Sequence, residues 1–166
     1  MKVFGIVGWK NNGKTGLMER LVQEIAARGV SVSTVKHAHH SFDIDHEGKD
    51  SYRHRQAGAR EVLLSSRARW ALMREMRDDP EQTLDQLLAR LTPVDLVLIE
   101  GYKRDSHAKI EAHRTSTGQA LIARDDPTVV AIASDIALEG FAQPVFALDD
   151  TAAIADFILG HVGLAR

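Results

Sequence analysis

At 166 residues, with 44% hydrophobic and 27% charged side chains, the chain is long enough to bury a core as a single domain, 1–166, and has the balance of an ordinary soluble protein. A formal net charge of −2 leaves no electrostatic footprint for nucleic acid or a membrane surface, and the absence of cysteine excludes disulfides, thiolate metal sites and a cysteine nucleophile. No apolar run is long enough to span a bilayer, and the first residues lead into a strand pattern rather than a signal peptide, so a cytoplasmic location is expected.

The first element is the apolar run KVFGIV, a strand. It feeds GWKNNGKT, residues 8–15, which fits the phosphate-binding pattern G-x-x-x-x-G-K-[ST] at every fixed position. A helix is predicted over residues 14–28, because Leu17, Met18, Leu21, Val22 and Ile25 recur at three- and four-residue steps, and Gly29 suits its C-terminal cap. VSVSTVK reads as the second strand. The polar stretch of residues 37–50 that follows it, HAHHSFDIDHEGKD, reads as a long loop at a strand's carboxyl end, where open α/β sheets bind ligands.

Further along, SYRHRQAGA predicts a short helix closed by Gly58. EVLLSS and RWALM predict two strands about a Ser-Arg turn, a hairpin that would add antiparallel strands to an otherwise parallel sheet. The spacing of Leu84, Leu87, Leu88 and Leu91 predicts a second covering helix over residues 80–91, with Pro80 near its first turn. VDLVLIEG is the most apolar strand and is expected at the sheet centre. AKIEAHR, VVAIAS and PVFAL are further strands, and the last helix carries Ile154, Ile158, Leu159 and Val162 on one face. The expected class is α/β: a P-loop NTPase-like three-layer sandwich, its sheet mostly parallel with some antiparallel strands and helices on both faces.

The chemistry of the loop follows from its residue types. Gly8 and Gly13 allow positive φ, so that the backbone N–H groups of Trp9, Lys10, Asn11, Asn12 and Gly16 can approach a phosphate, aided by the positive end of the helix. Lys14 is placed to neutralise the β- and γ-phosphates, and the Thr15 hydroxyl to ligate Mg²⁺. Glu100, ending LVLIE, is placed to hold the metal or its water, or else simply ends a strand. In the polar loop Asp43, Asp45, Glu47 and Asp50 could reach a metal, and Lys36 and Lys49 could reach phosphates. His37, His39, His40, His46 and His54 fall within this stretch or just after it, in a spacing that fits no standard zinc pattern.

GWKNNGKT, KHAHHSFDIDHEGKDSYRHRQAGA, RWALM, and LVLIEGYK followed by KIEAHR together resemble the molybdopterin-guanine dinucleotide biosynthesis adaptor family, MobB, over residues 1–114, with a weaker echo in VVAIASD. The resemblance implies a dimeric protein that binds GTP with Mg²⁺ and assists the guanylyltransferase MobA, which attaches GMP to molybdopterin. It implies a weak GTPase at most, and molybdopterin or molybdoenzyme-maturation proteins as further partners. It also implies Thr15 and Glu100 at magnesium, and Asp45 and the Gly48-Lys49-Asp50 turn facing the nucleotide or the cofactor.

The residues themselves support guanine only weakly. The usual guanine-reading tetrapeptide is absent, and Asp135, after VVAIAS, suits either guanine N1–H and N2–H₂ or the capping of a turn. For hydrolysis no glutamine stands in a switch-like position, and Arg53, Arg55 and Arg60 suit a phosphate or a solvated face equally. A P-loop small-molecule kinase and a metal-delivery GTPase using the histidine loop are the alternatives.

Overall fold

The computed structural model describes residues 1–38 and 42–165. By its internal contacts the chain forms two compact units, one of Met1–His37 with Leu91–Arg166 and one of Ala38–Arg90.

The first unit is built on a six-stranded sheet of β1 (Lys2–Val7), β2 (Val32–Lys36), β5 (Leu96–Glu100), β6 (Lys109–His113), β7 (Val129–Ser134) and β8 (Val145–Ala147), in the order β2-β5-β1-β6-β7-β8. Every pairing in it is parallel. Burial on both faces explains the continuous apolar runs of these strands: all five residues of β5 and of β6 are buried. As expected, β5 has neighbours on both sides, but the central pair is β1 and β6.

Both long helices, α1 (Lys14–Ala27) and α4 (Thr151–Val162), join one core with Phe4, Ile6, Leu98, Ile110 and Ala131. Leu17, Met18, Leu21 and Ile25 form the buried stripe of α1, as their spacing predicts, and Ile154, Ala155, Ile158 and Leu159 that of α4. Gly29 follows the end of α1 at φ +79°. A second cluster of Val7, Val129 and Ile132 is covered by Leu121, Ala123 and neighbours from a 3₁₀ turn, Ile122–Arg124, together with Leu138 and Phe141.

In the second unit α2 (Asp50–Gln56) packs on the strand β3 (Glu61–Ser65). That strand pairs antiparallel with β4 (Trp70–Arg74) about the Ser66–Arg69 turn. The hairpin is therefore real, but it is a sheet of its own and adds no strand to the parallel sheet. Strand propensity and turn chemistry specify the local pair, not the sheet that it joins. The predicted covering helix of residues 80–91 shrinks to α3 (Leu84–Leu88). A capping box starts it, with the Thr83 hydroxyl accepting from the Gln86 N–H and the Gln86 side chain accepting from the Thr83 N–H. Pro80 therefore precedes the helix rather than opening it, and Pro93 lies shortly beyond its end.

Candidate functional site

The site grows from the point where β1 meets α1. Three residues of the connecting loop have positive φ, namely Gly8 at 143°, Asn11 at 68° and Gly13 at 87°, and Gly13 is the left-handed N-cap of α1. No acidic residue stands in the first turn of α1 and no side chain caps it, so the positive end of the helix keeps its capacity for an anion. Close packing demands glycine here: a Cβ on Gly8 would come 2.4 Å from the Ala112 carbonyl oxygen, and one on Gly13 would come 3.1 Å from Arg114 Nε.

Loop residues are braced from the segment after β6. The Trp9 indole N–H donates to the Ala120 carbonyl at 2.8 Å. Asn12 is fully buried, and its Oδ1 accepts from the Arg114 N–H at 3.3 Å and the Thr117 hydroxyl at 2.7 Å. Its amide nitrogen has no hydrogen-bond partner among the described residues. Lys10 and Asn11 are exposed, and Gly16 lies in the first turn of α1.

Glu100 is placed by register. Ending β5, it lies between Ile6 of β1 and Lys36 of β2, which puts its carboxylate next to the loop that β1 feeds. Its Oε1 lies 3.4 Å from the Thr15 hydroxyl and 3.2 Å from Lys36 Nζ. A hydroxyl beside a buried carboxylate is a hard-oxygen pair of the kind that Mg²⁺ takes, with its remaining positions left to water and phosphate. The fit to a magnesium-bound anion is therefore good.

Lys14 donates to the Trp9 carbonyl at 2.7 Å. Burial pushes its ammonium below the usual lysine range, Glu100 pulls it back, and the nearby Lys103 and Lys36 lower it again. Lys103, the last residue of the EGYK stretch, rests over the Trp9 ring, 3.9 Å from the centroid. The chain reaches it through Gly101 at φ 97° and Tyr102 at φ 49°, a conformation sparsely populated by non-glycine residues. On β6, Glu111 is fully buried, and its two oxygens accept from the N–H groups of Ile122 and Ala123 at 2.9 Å each. Burial nevertheless raises its carboxyl above the usual range.

Asp135 follows β7. Its Oδ1 accepts from the Thr115 N–H at 3.0 Å and the Thr115 hydroxyl at 2.9 Å, bonds that hold the carboxyl below its usual range. It lines a cleft of about 360 Å³ with Arg20, Arg114, Ser134, Leu148 and Asp149. Gly13 packs against Arg114 and Leu148, so this cleft borders the loop. Arg20 is itself held by the Leu148 carbonyl and the Thr151 hydroxyl.

Asp45 and Lys49 belong to the second unit. Asp45 is buried and ion-paired with Arg55, whose guanidinium also binds Asp43 and Glu75 at 2.7 Å each. These three carboxylates raise Arg55 above its usual range, and as a cation it is already fully engaged. Lys49 is the exposed N-cap residue of α2. In the histidine cluster, His39 and His40 lie outside the described residues, and among the described residues no group of three or more His, Asp or Glu side chains is arranged to hold a metal.

Sequence pattern thus singles out Gly8, Gly13, Lys14, Thr15 and Glu100, which the fold brings together, and passes over Lys103, Arg114 and Thr117. These last three carry no spacing signal, because only the pairing of β1 with β5 and β6 brings their loops to the phosphate-type turn.

Comparison with known proteins agrees with this architecture. The chain is 36% identical over 162 residues to the molybdopterin-guanine dinucleotide biosynthesis adapter protein of Escherichia coli (strain K12), covering 95% of this chain and 91% of that protein. It is 39% identical over 158 residues to the protein of that name from Haemophilus influenzae (strain Rd), covering 94% and 86%. Among solved structures, a MobB protein homolog from Bacillus stearothermophilus matches with a TM-score of 0.69 at 29% identity over 98% of this chain and 99% of that one. Bacillus subtilis MobB matches with a TM-score of 0.73 at 26% identity over 98% of each. The model of the family described as "MobB: Molybdopterin guanine dinucleotide synthesis protein B" matches residues 3–135, and the chain belongs to that family of biosynthesis adapter proteins.

Proposed function

We propose that this chain is a GTP-binding adaptor in molybdopterin guanine dinucleotide synthesis, holding GTP with Mg²⁺ on residues 8–15 and assisting the guanylyltransferase MobA as a cytoplasmic homodimer. The observation that carries the nucleotide reading is the Thr15 hydroxyl 3.4 Å from Glu100, at the N-terminus of a helix whose first turn holds no acid. Lys14 would leave the Trp9 carbonyl for the phosphates, while the N–H groups from Trp9 to Gly16 line the anion. Thr15 and Glu100 would hold the magnesium, which supplies charge neutralisation of the triphosphate when bound.

For the base, the reading favours the cleft beside Gly13, where Asp135 offers a carboxylate to guanine N1–H and N2–H₂. Turnover would be slow. Arg55, an arginine candidate from the sequence, is engaged by three carboxylates rather than free to reach a transferring phosphate. An adaptor that retains its nucleotide suits that chemistry better than a fast hydrolase.

The homodimer reading rests on the hairpin. Leu63 and Leu72 are cross-strand partners, 63% and 49% exposed, and Trp70 beside them is 66% exposed. A two-stranded sheet with one bare apolar face is marginal alone, and a second copy of the same face, rimmed by the paired Glu61 and Arg74, would cover it isologously.

The direct test is calorimetric titration with GTP and with ATP, each with and without Mg²⁺. Magnesium-dependent preference for GTP is expected; equal binding or preference for ATP would count against the adaptor reading and for a kinase.

A further inference from the structure

Trp9 carries two ammonium groups. Lys14 rests on its carbonyl and Lys103 on its ring, and neither contact offers a formal negative charge. No carboxylate among the described residues forms an ion pair with Lys103; the acid that attracts it, Glu111, already spends both oxygens on the backbone of residues 122 and 123. Burial lowers both ammonium groups, and Lys103 is one of the charges that lower Lys14. Lys36 also faces this cluster, paired with Glu100. Cations gathered with too little anion around them make a site that an incoming polyanion stabilises.

The backbone supports the same conclusion. Lys103 stands three residues beyond Glu100, at the end of a turn in which Gly101 and Tyr102 both have positive φ. The Tyr102 ring packs against that of His37 in a tilted contact, with ring centroids 4.7 Å apart, which helps to fix the turn. Strain held in place at a cation beside a candidate ligand loop is a feature of sites rather than of plain connections.

We propose that Lys103 is a second phosphate-binding lysine, supplied from the strand that carries Glu100, which contacts the terminal phosphate and makes the site selective for a nucleoside triphosphate over a diphosphate. This rests on the nucleotide reading above. Lys14, inside the loop, would serve both nucleotides, because the β-phosphate is common to them. Lys103, arriving from the turn past the carboxyl end of the neighbouring parallel strand, would act on the charge that only the triphosphate has. The indole of Trp9 is then a resting place that holds the ammonium close to the loop in the free protein.

The test is titration of the full-length chain with GTP and GDP in the presence of Mg²⁺, for the parent, K14A, K103M and K103R, with thermal melts confirming folding. K103M keeps an apolar stem on Trp9 and removes the charge. It should weaken GTP about tenfold or more while changing GDP little, as expected for loss of one charge-assisted contact. K103R should restore most of the triphosphate preference, and K14A should weaken both ligands. An unchanged GTP to GDP ratio in K103M, or equal weakening of both, would overturn the role of Lys103 while leaving the phosphate loop intact. Absence of nucleotide binding by the parent would remove the nucleotide reading and this inference together.

Discussion

A methyl group is enough to test the site at the scale of one residue. At Gly8 it would meet the Ala112 carbonyl at 2.4 Å, on a backbone at φ 143° that L side chains rarely adopt. Backbone strain and overpacking combine there, so Gly8→Ala is expected to cost about 2–4 kcal/mol of stability, read from urea unfolding. A variant as stable as the parent would mean that β6 can move away from the loop. Glu100 makes the complementary case, since its charge matters more than its shape. Glu100→Gln keeps the volume beside Thr15 and Lys36 and removes the anion, so nucleotide binding should lose most of its response to Mg²⁺ while the melting temperature changes little. The same magnesium response as the parent would take Glu100 out of the metal site.

At the scale of elements, amphipathic spacing accounts for most of what the chain alone makes legible. The α1 stripe of Leu17, Met18, Leu21 and Ile25 is buried as its period predicts, and among the described residues seven of eight strands lie within the predicted strand runs, β4 alone ending one residue past RWALM, at Arg74. What the chain pattern could not carry was partnership. It marks EVLLSS and RWALM as a hairpin, but which sheet they join depends on which edges are free, and that is a property of the whole fold. The leucine spacing likewise overstated α3, because Thr83 and Gln86 form a cap inside the predicted helix. The exposed Leu63, Trp70 and Leu72 face gives this scale its own prediction. Leu72→Glu replaces an exposed side chain and should leave the protomer folded, yet shift the mass in light scattering from dimer to monomer. A dimer that survives L72E must be built on another surface.

For the molecule as a whole, the candidate site was half readable. The local motif names Lys14 and Thr15 at once, because spacing within one turn is visible in the chain. Glu100 follows by analogy of position, at the tip of an apolar strand. Asn12, Arg114, Thr117 and Lys103 come together only through the pairing of strands some hundred residues apart, and the bond from Asn12 to Thr117 spans 105 positions. Asp135 illustrates the limit from the other side: its carboxylate is held by Thr115, so its role as a turn anchor and its expected role toward guanine are joined in one residue.

The strand order has a consequence for how the chain is made. β1 pairs only with β5 and β6, and β2 only with β5, so no strand partner for either exists before Leu96 has been synthesised. For more than half of its elongation the nascent chain carries two apolar edges, and the intervening 53 residues of the second unit, 38–90, must be looped out before the first sheet contact forms. The hairpin and α2, whose contacts are local, can order while they wait. The phosphate-type loop, which depends on the carbonyl of Ala112 and the backbone of Arg114 for its shape, is therefore among the last features to form, although it lies at the very start of the sequence.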